Sequence, residues 1–266
     1  MSDSPKPGVI FSGGAFHSAH FFDAVKQRLE DANVFDPVLV SAHPSLGNNS
    51  RGKTLWDDVE ALRAQMTPYV DAGTEFIVVG HSYGGFPGFA ATEGWTVEQR
   101  AAAGKKGGIR AVVFNAGPAP LVRGSTAVGV FVEGQQHEYP SFFEHGPQGE
   151  KGHLIHPARI SKHSFYNDFD DNKAEELWNT LVPHSQEAIE TPTNYLVTDV
   201  DLPYYYILNE QDETVPPELQ QTVASAIPGC TVFKIDAGHT SFLSQPARFV
   251  EILQSIKEDA FAANRK

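Results

Sequence analysis

Six short runs of β-branched and aromatic residues punctuate the chain, each followed by turn residues and then a stretch with helical spacing. They are GVIF at 8–11, PVLV at 37–40, FIVVG at 76–80, IRAVVF at 109–114, YYYIL at 204–208 and TVFKI at 231–235. Runs this apolar, separated by helix-length segments, predict an α/β fold: a mostly parallel sheet of about six strands with helices on both faces. Between the first three runs, residues 19–31 and 54–71 read as helices. The second opens TLWDD, with Thr54 as N-cap and Asp57 and Asp58 in the first turn. From Pro246 to Ala262, Phe249, Ile252, Leu253 and Ile256 fall on one helical face.

With 266 residues the chain suits one large core carrying one insertion. The rhythm breaks after FNAGPAP. Residues 118–203 hold six of the eleven histidines, several prolines and glycines, and one clear helical stretch near 172–181. So long a departure marks a functional insertion, read as a cap over the carboxyl ends of the strands. The expected division is a core of residues 1–117 and 204–266, with 118–203 as the cap.

Gly80-His81-Ser82-Tyr83-Gly84 matches G-x-S-x-G directly after a buried strand and before a segment that can be helical. A serine there sits on a strained strand-to-helix turn, and the flanking glycines keep neighbouring side chains from colliding. Read alone, the motif is also satisfied by a serine that merely caps a helix. A hydroxyl becomes a useful nucleophile only beside a base held by an acid. Two loops after later strands supply them in the order acid then histidine: Asp212 in NEQDETVPP and His239 in DAGHTSFLSQP. Glu210, Glu213, Asp236 and Asp199 compete with Asp212 for the acid's role, and Asp212 equally suits an Asx turn.

Composition removes several classes of function. A formal net charge of −13 gives a field that repels phosphate backbones, so nucleic acid is not an expected partner. The longest apolar runs, such as AVVF at 111–114, are too short for a bilayer, and no membrane partner is expected. MSDSPKPG has no secretory-type apolar stretch, and the single cysteine, Cys230, leaves no internal disulfide; a cytoplasmic location is expected. Histidines 137, 145, 153, 156, 163 and 184 lack a paired spacing such as H-E-x-x-H, so no metal is expected. GKKGG at 104–108 lacks phosphate-loop spacing, and no cofactor is expected.

At this point the sequence resembles an α/β-hydrolase. More narrowly, it is similar to the branch holding plant methylesterases, hydroxynitrile lyases and small-molecule hydrolases of filamentous fungi. The stretches that carry the likeness are VIFSGGAFHSAHFF, GHSYGGFPG, AGKKGG, FYNDF at 165–169, LVPHSQEA at 181–188, NEQDETVP and AGHTSFLSQP. The resemblance implies Ser82 as nucleophile, His239 as general base and then acid, Asp212 as the orienting acid, and an oxyanion hole at the backbone N–H groups of Ala15 and Tyr83. Where the family usually has His-Gly, this chain has Gly13-Gly14.

Gly14, Phe16, His17, Phe143, Trp178 and Phe242 are the expected substrate-binding residues, with Tyr139 and Phe142 as further cap aromatics; about half of the aromatics are expected to touch ligand. The expected activity is hydrolysis of a small apolar or aromatic carboxylic ester or lactone, with a homodimer left open. Three alternatives stand beside it: hydroxynitrile lyase chemistry, acyl transfer or cyclisation, and a small-molecule receptor. Related lyases carry threonine where Gly14 stands and lysine where Thr240 stands, which favours hydrolysis.

Overall fold

The computed structural model describes residues 6–129, 141, 143–147 and 149–262. Unbroken apolar runs make strands only where both faces are covered. Strands β1 (Gly8–Ser12), β2 (Val38–Val40), β3 (Glu75–His81) and β4 (Gly108–Asn115) come from the first four runs. In the stretch expected as the cap lie β5 (Phe143–Glu144), β6 (Leu154–Pro157) and β7 (His184–Ser185); β8 (Tyr204–Asn209) and β9 (Thr231–Ile235) complete the main sheet. The main sheet has the order β2-β1-β3-β4-β8-β9, and every neighbouring pair is parallel. Its centre is dry: Val9, Ile10, Ile77, Val78, Val112, Phe114, Tyr206 and Ile207 are fully buried. Strand β9, at one edge, leaves most of its residues partly exposed.

Helices on both faces cover the sheet: α1 (Asp23–Asp31), α2 (Leu55–Ala72), α3 (Gly85–Ala90) and α4 (Val97–Ala102) in the first half, with α5 (Ser161–Phe165), α6 (Asp171–Trp178) and α7 (Gln186–Glu190) in the cap. They are followed by α8 (Pro217–Ala226), α9 (Ser241–Ser244) and α10 (Pro246–Ala262). Helix α2 starts where expected, because the Asp57 carboxylate accepts from both the N–H (2.9 Å) and the hydroxyl (3.0 Å) of Thr54. It stops at Gly73, whose φ of 111° only glycine adopts without strain. The helix expected over 19–31 is two pieces: a 3₁₀ turn over Ala19–Phe22 leads into α1.

The stretch expected as the cap leaves after β4 and returns at β8, its neighbour in the sheet, so it does not interrupt the strand order. It has its own antiparallel sheet in the order β5-β6-β7. The helical stretch expected near 172–181 is α6, capped by the Asp170 carboxylate, which accepts from Lys173 N–H at 2.9 Å. Helices α5 and α7 have five residues each, too few to carry a visible helical period.

Candidate active site

All chemistry-bearing loops leave the carboxyl ends of parallel strands, which brings residues distant in the chain to one edge of the sheet. Ser82 follows β3 with φ of 50°, in the left-handed region that non-glycine residues rarely adopt. The turn is tight enough that a Cβ on Gly80 would lie 2.6 Å from the Gly84 carbonyl oxygen. A Cβ on Gly14 would come within 3.1 Å of Ser82 Cβ, so the loop after β1 closely abuts the candidate nucleophile. Ser82 is half-buried and borders a cavity that Phe143, Ile155 and Ile189 also line.

Asp212 and His239 meet as the chain order suggested. His239 Nδ1–H donates to Asp212 Oδ2 at 2.8 Å, and the two residues are 2 % and 3 % exposed. That bond fixes the tautomer and leaves Nε2 as the free base nitrogen. Asp212 Oδ1 accepts from the N–H groups of Thr214 (2.8 Å) and Val215 (2.9 Å), while Gln220 Nε2 donates to Oδ2 at 3.1 Å. Asp212 therefore is both an Asx-turn residue and the acid that orients the imidazole. The loop behind it is held by Asn209 Nδ2, which donates to the carbonyls of Gly238 (2.8 Å) and His239 (2.9 Å).

The competing acids are engaged elsewhere. Glu210 pairs with Lys234, Glu213 with His163 and Asp199 with Arg123, while Asp236 accepts from Gln211. The ring of His81, next to Ser82, lies 4.8 Å from that of His239. Among the described residues no hydrogen bond joins Ser82 Oγ to His239; such bonds in unliganded sites often close only with substrate in place.

The loop after β1 carries the expected amide donor at Ala15. Phe16 has φ of 69°, and its carbonyl accepts from Val182 N–H of the cap at 3.0 Å. His17 Nδ1–H donates to the Ala15 carbonyl at 2.7 Å, so its Nε2 accepts from the Tyr166 hydroxyl at 2.9 Å. Tyr83, second in the helical turn after β3, has an N–H of the kind that intrahelical bonding leaves unpaired. These are the two N–H groups expected to form an oxyanion hole.

Behind Tyr83 lies a polar cluster that sequence reasoning missed. Asp58 is fully buried, and its carboxylate accepts from Tyr83 Oη (2.6 Å), Ser45 Oγ (2.5 Å) and Ser45 N–H (3.0 Å). Ser45 Oγ in turn accepts from His184 Nε2–H of the cap at 2.8 Å. A signal existed: Asp58 lies three residues after Leu55 and four before Leu62, on the apolar face of α2. Burial leaves the nearby histidines uncharged. It lowers His17 to about 3 and His184 to about 4, and pushes His81 well below the ordinary imidazole value, helped there by His239.

A narrow cavity between core and cap is bounded by Ala15, Ser82, Tyr83, Phe143, Ile155 and Val215, and none of its described lining residues is charged. Of the expected substrate-binding residues, Phe143 borders it. Phe16 is fully buried among Phe143, Phe165 and His184. Phe242 is stacked on Phe22 at 4.2 Å inside the core, and Trp178 lies beneath the Arg159 guanidinium. His17 braces the Ala15 loop, and Gly14 packs against His81 and Ser82. Tyr139, Phe142 and His137 lie outside the described residues. The cavity wall thus draws more on aliphatic side chains than on the aromatics singled out from the sequence. Among the described residues no three His, Cys, Asp or Glu side chains gather as metal ligands, and no helix is long and apolar enough to cross a membrane.

The model of the alpha/beta hydrolase family matches residues 9–252. Alpha/beta hydrolase nvfD of Aspergillus novofumigatus is 24% identical over 256 residues, covering 96% of this chain and 98% of that protein. A probable hydrolase of a Phoma species is 28% identical over 213 residues, 75% of this chain and 77% of its own. Among solved structures, polyneuridine aldehyde esterase superposes with a TM-score of 0.70 at 20% identity, covering 94% of this chain and 99% of that one. At such identity the structural likeness shows a shared fold.

Proposed function

Because the chain belongs to the alpha/beta hydrolase family, we propose that it is a serine carboxylic-ester hydrolase acting on a small, neutral, apolar or aromatic ester or lactone. One observation carries the reading: a serine on a left-handed strand-to-helix turn follows His81, whose ring lies 4.8 Å from a buried imidazole bonded at 2.8 Å to a buried carboxylate.

In this mechanism His239 Nε2 takes the Ser82 proton as Oγ attacks the ester carbonyl, and Asp212 stabilises the imidazolium that forms. The N–H groups of Ala15 and Tyr83 receive the charge developing on the carbonyl oxygen. Donors so placed contribute on the order of 3–4 kcal/mol each to the transition state. His239 then protonates the leaving alcohol, and water attacks the acyl-enzyme with the same histidine as base. Uncharged cavity walls favour a neutral acyl group, since a charge there would lose its hydration without gaining a partner.

Hydrolysis is favoured over lyase chemistry at the residue after the histidine. Thr240 stands where related lyases carry lysine; it is fully buried, and its hydroxyl donates to the Phe165 carbonyl at 3.4 Å.

The test is Ser82→Ala with p-nitrophenyl butyrate, alongside labelling by a fluorophosphonate and peptide mapping. Turnover should fall by at least about a thousandfold, with the label on Ser82 in the unmodified protein only. Undiminished turnover in the variant rejects the assignment.

A further inference from the structure

The FYND stretch belongs to the cap, yet its contacts run to three loops of the core. The Tyr166 hydroxyl donates to His17 Nε2 at 2.9 Å, and His17 in turn holds the Ala15 carbonyl. Asn167 Nδ2 donates to the Gln211 carbonyl at 2.7 Å, one residue before Asp212. The Asp168 carboxylate accepts from Gly238 N–H at 2.6 Å, one residue before His239. On the other side of the motif, the Ser164 carbonyl accepts from the Thr214 hydroxyl at 2.9 Å, and the Phe165 ring stacks 6.0 Å from the His239 ring at an interplanar angle of 23°.

Five consecutive residues therefore touch the loops that follow β1, β8 and β9. Those loops have no covalent link to one another shorter than a strand and a helix, and each carries one part of the proposed machinery. Their mutual placement must be fixed to within a fraction of an ångström for proton transfer and oxyanion binding to coincide.

Gly238 gives an independent sign that this contact is built. A Cβ at that position would collide with Asn167 Oδ1 and lie 2.7 Å from Asp168 Oδ1. A side chain at position 238 would force the Asn167 amide and the Asp168 carboxylate away from the peptide before His239.

We infer that residues 164–168 form an assembly clamp, with Tyr166 and Asp168 as positioning residues that set the oxyanion loop and the histidine loop against the acid loop. The inference rests on the reading of Ser82, His239 and Asp212 given above. It assigns this part of the cap a role in building the site, in place of a role as a swinging lid: moving it would break bonds to all three loops.

The experiment compares Asp168→Ala, Asp168→Asn, Tyr166→Phe and the unmodified protein in kcat and KM for p-nitrophenyl butyrate, rate of fluorophosphonate labelling at Ser82, and Tm. Asp168→Ala and Tyr166→Phe should each lower kcat and the labelling rate about ten- to hundredfold, with KM within about twofold. Because Asp168 is exposed, its Tm should move by no more than about 3 °C. Asp168→Asn keeps an oxygen facing Gly238 N–H and should recover kcat to within about threefold of the unmodified protein.

A kcat unchanged in both Asp168→Ala and Tyr166→Phe overturns the clamp, whatever happens to Tm. A loss that Asp168→Asn fails to rescue also overturns it, because the effect then follows the charge near His239 and not the hydrogen bond. If Asp168→Ala does not fold, Tyr166→Phe, which removes one hydroxyl, carries the same decision. An unmodified protein that takes up no label at Ser82 removes the proposed function, and the clamp with it; a labelled one with unmoved variants removes the clamp alone.

Discussion

Two carboxylates are buried near the candidate site, and they are put to different uses. Asp212 is 3 % exposed and Asp58 is fully buried; each accepts at least three hydrogen bonds. Around Asp58 the close donors are two hydroxyls and an amide, and the nearest imidazole nitrogen, His43 Nδ1, stands off at 3.9 Å. Around Asp212 two backbone N–H groups and a glutamine anchor the acid, while an imidazole at 2.8 Å occupies the remaining direction. Burial and hydrogen bonding alone do not make a catalytic acid. What distinguishes Asp212 is an imidazole partner whose ring lies 4.8 Å from that of His81, the neighbour of Ser82; the partners of Asp58 are the Tyr83 hydroxyl and Ser45 of the loop before α2, which leads on to His184 of β7.

The contrast predicts opposite failures for the same substitution. Asp212→Asn should lower kcat by about a thousand- to ten-thousandfold, because the amide stabilises the wrong imidazole tautomer and no longer balances the imidazolium. Its fold should survive, as measured by circular dichroism and Tm, and activity within tenfold of the unmodified protein would erase the distinction. Asp58→Asn should do the reverse. It turns a donor toward hydroxyls that now donate to Asp58, costing about 2–4 kcal/mol of stability in denaturant titration, while kcat per folded molecule stays within about tenfold. A kcat loss as deep as that of Asp212→Asn would place Asp58 in the chemistry itself.

The smallest effect concerns pH. His184, which reaches Asp58 through Ser45, has its pKa lowered to about 4 by burial, and His17 has its lowered to about 3. Between pH 6.5 and 5 the unfolded chain therefore takes up protons that the folded protein refuses, so stability falls as pH falls. Each such histidine adds a slope approaching about 1.4 kcal/mol per pH unit well below pH 6.5. Denaturant midpoints at pH 7, 6 and 5 should decline, and His184→Gln should decline less steeply. An equal slope in that variant would show that His184 does not refuse the proton.

Much of this was legible in the sequence, and the limit has a physical form. Strands declare themselves by local composition, and the strained serine turn declares itself by glycines two residues to either side, so the sheet and the candidate nucleophile could be read directly. Asp212 and His239 read as candidates because both lie just beyond strands, and they are hydrogen-bonded to each other in the structure. Asp58 was read only as an acid favourable to a helix N-terminus, since its neighbours Ser45, Tyr83 and His184 come from other parts of the chain. Phe16 and Phe242 were expected at the ligand and are buried in the core, because a large aromatic near the site satisfies either role until packing decides. FYND could be recognised as a mark of kinship before anything showed which groups it touches.

The bond from Tyr166 to His17 spans 149 positions of sequence, and the one from His239 to Asp212 spans 27. During translation the serine leaves the ribosome long before the imidazole that would activate it, and the loop after the first strand waits for a tyrosine made much later. If Ser82 is activated by His239 as proposed, a nascent chain lacks its base until residue 239 has been made. On the proposed reading, reactivity waits for the last parallel strand to dock, and hydrolytic competence then reports completed folding.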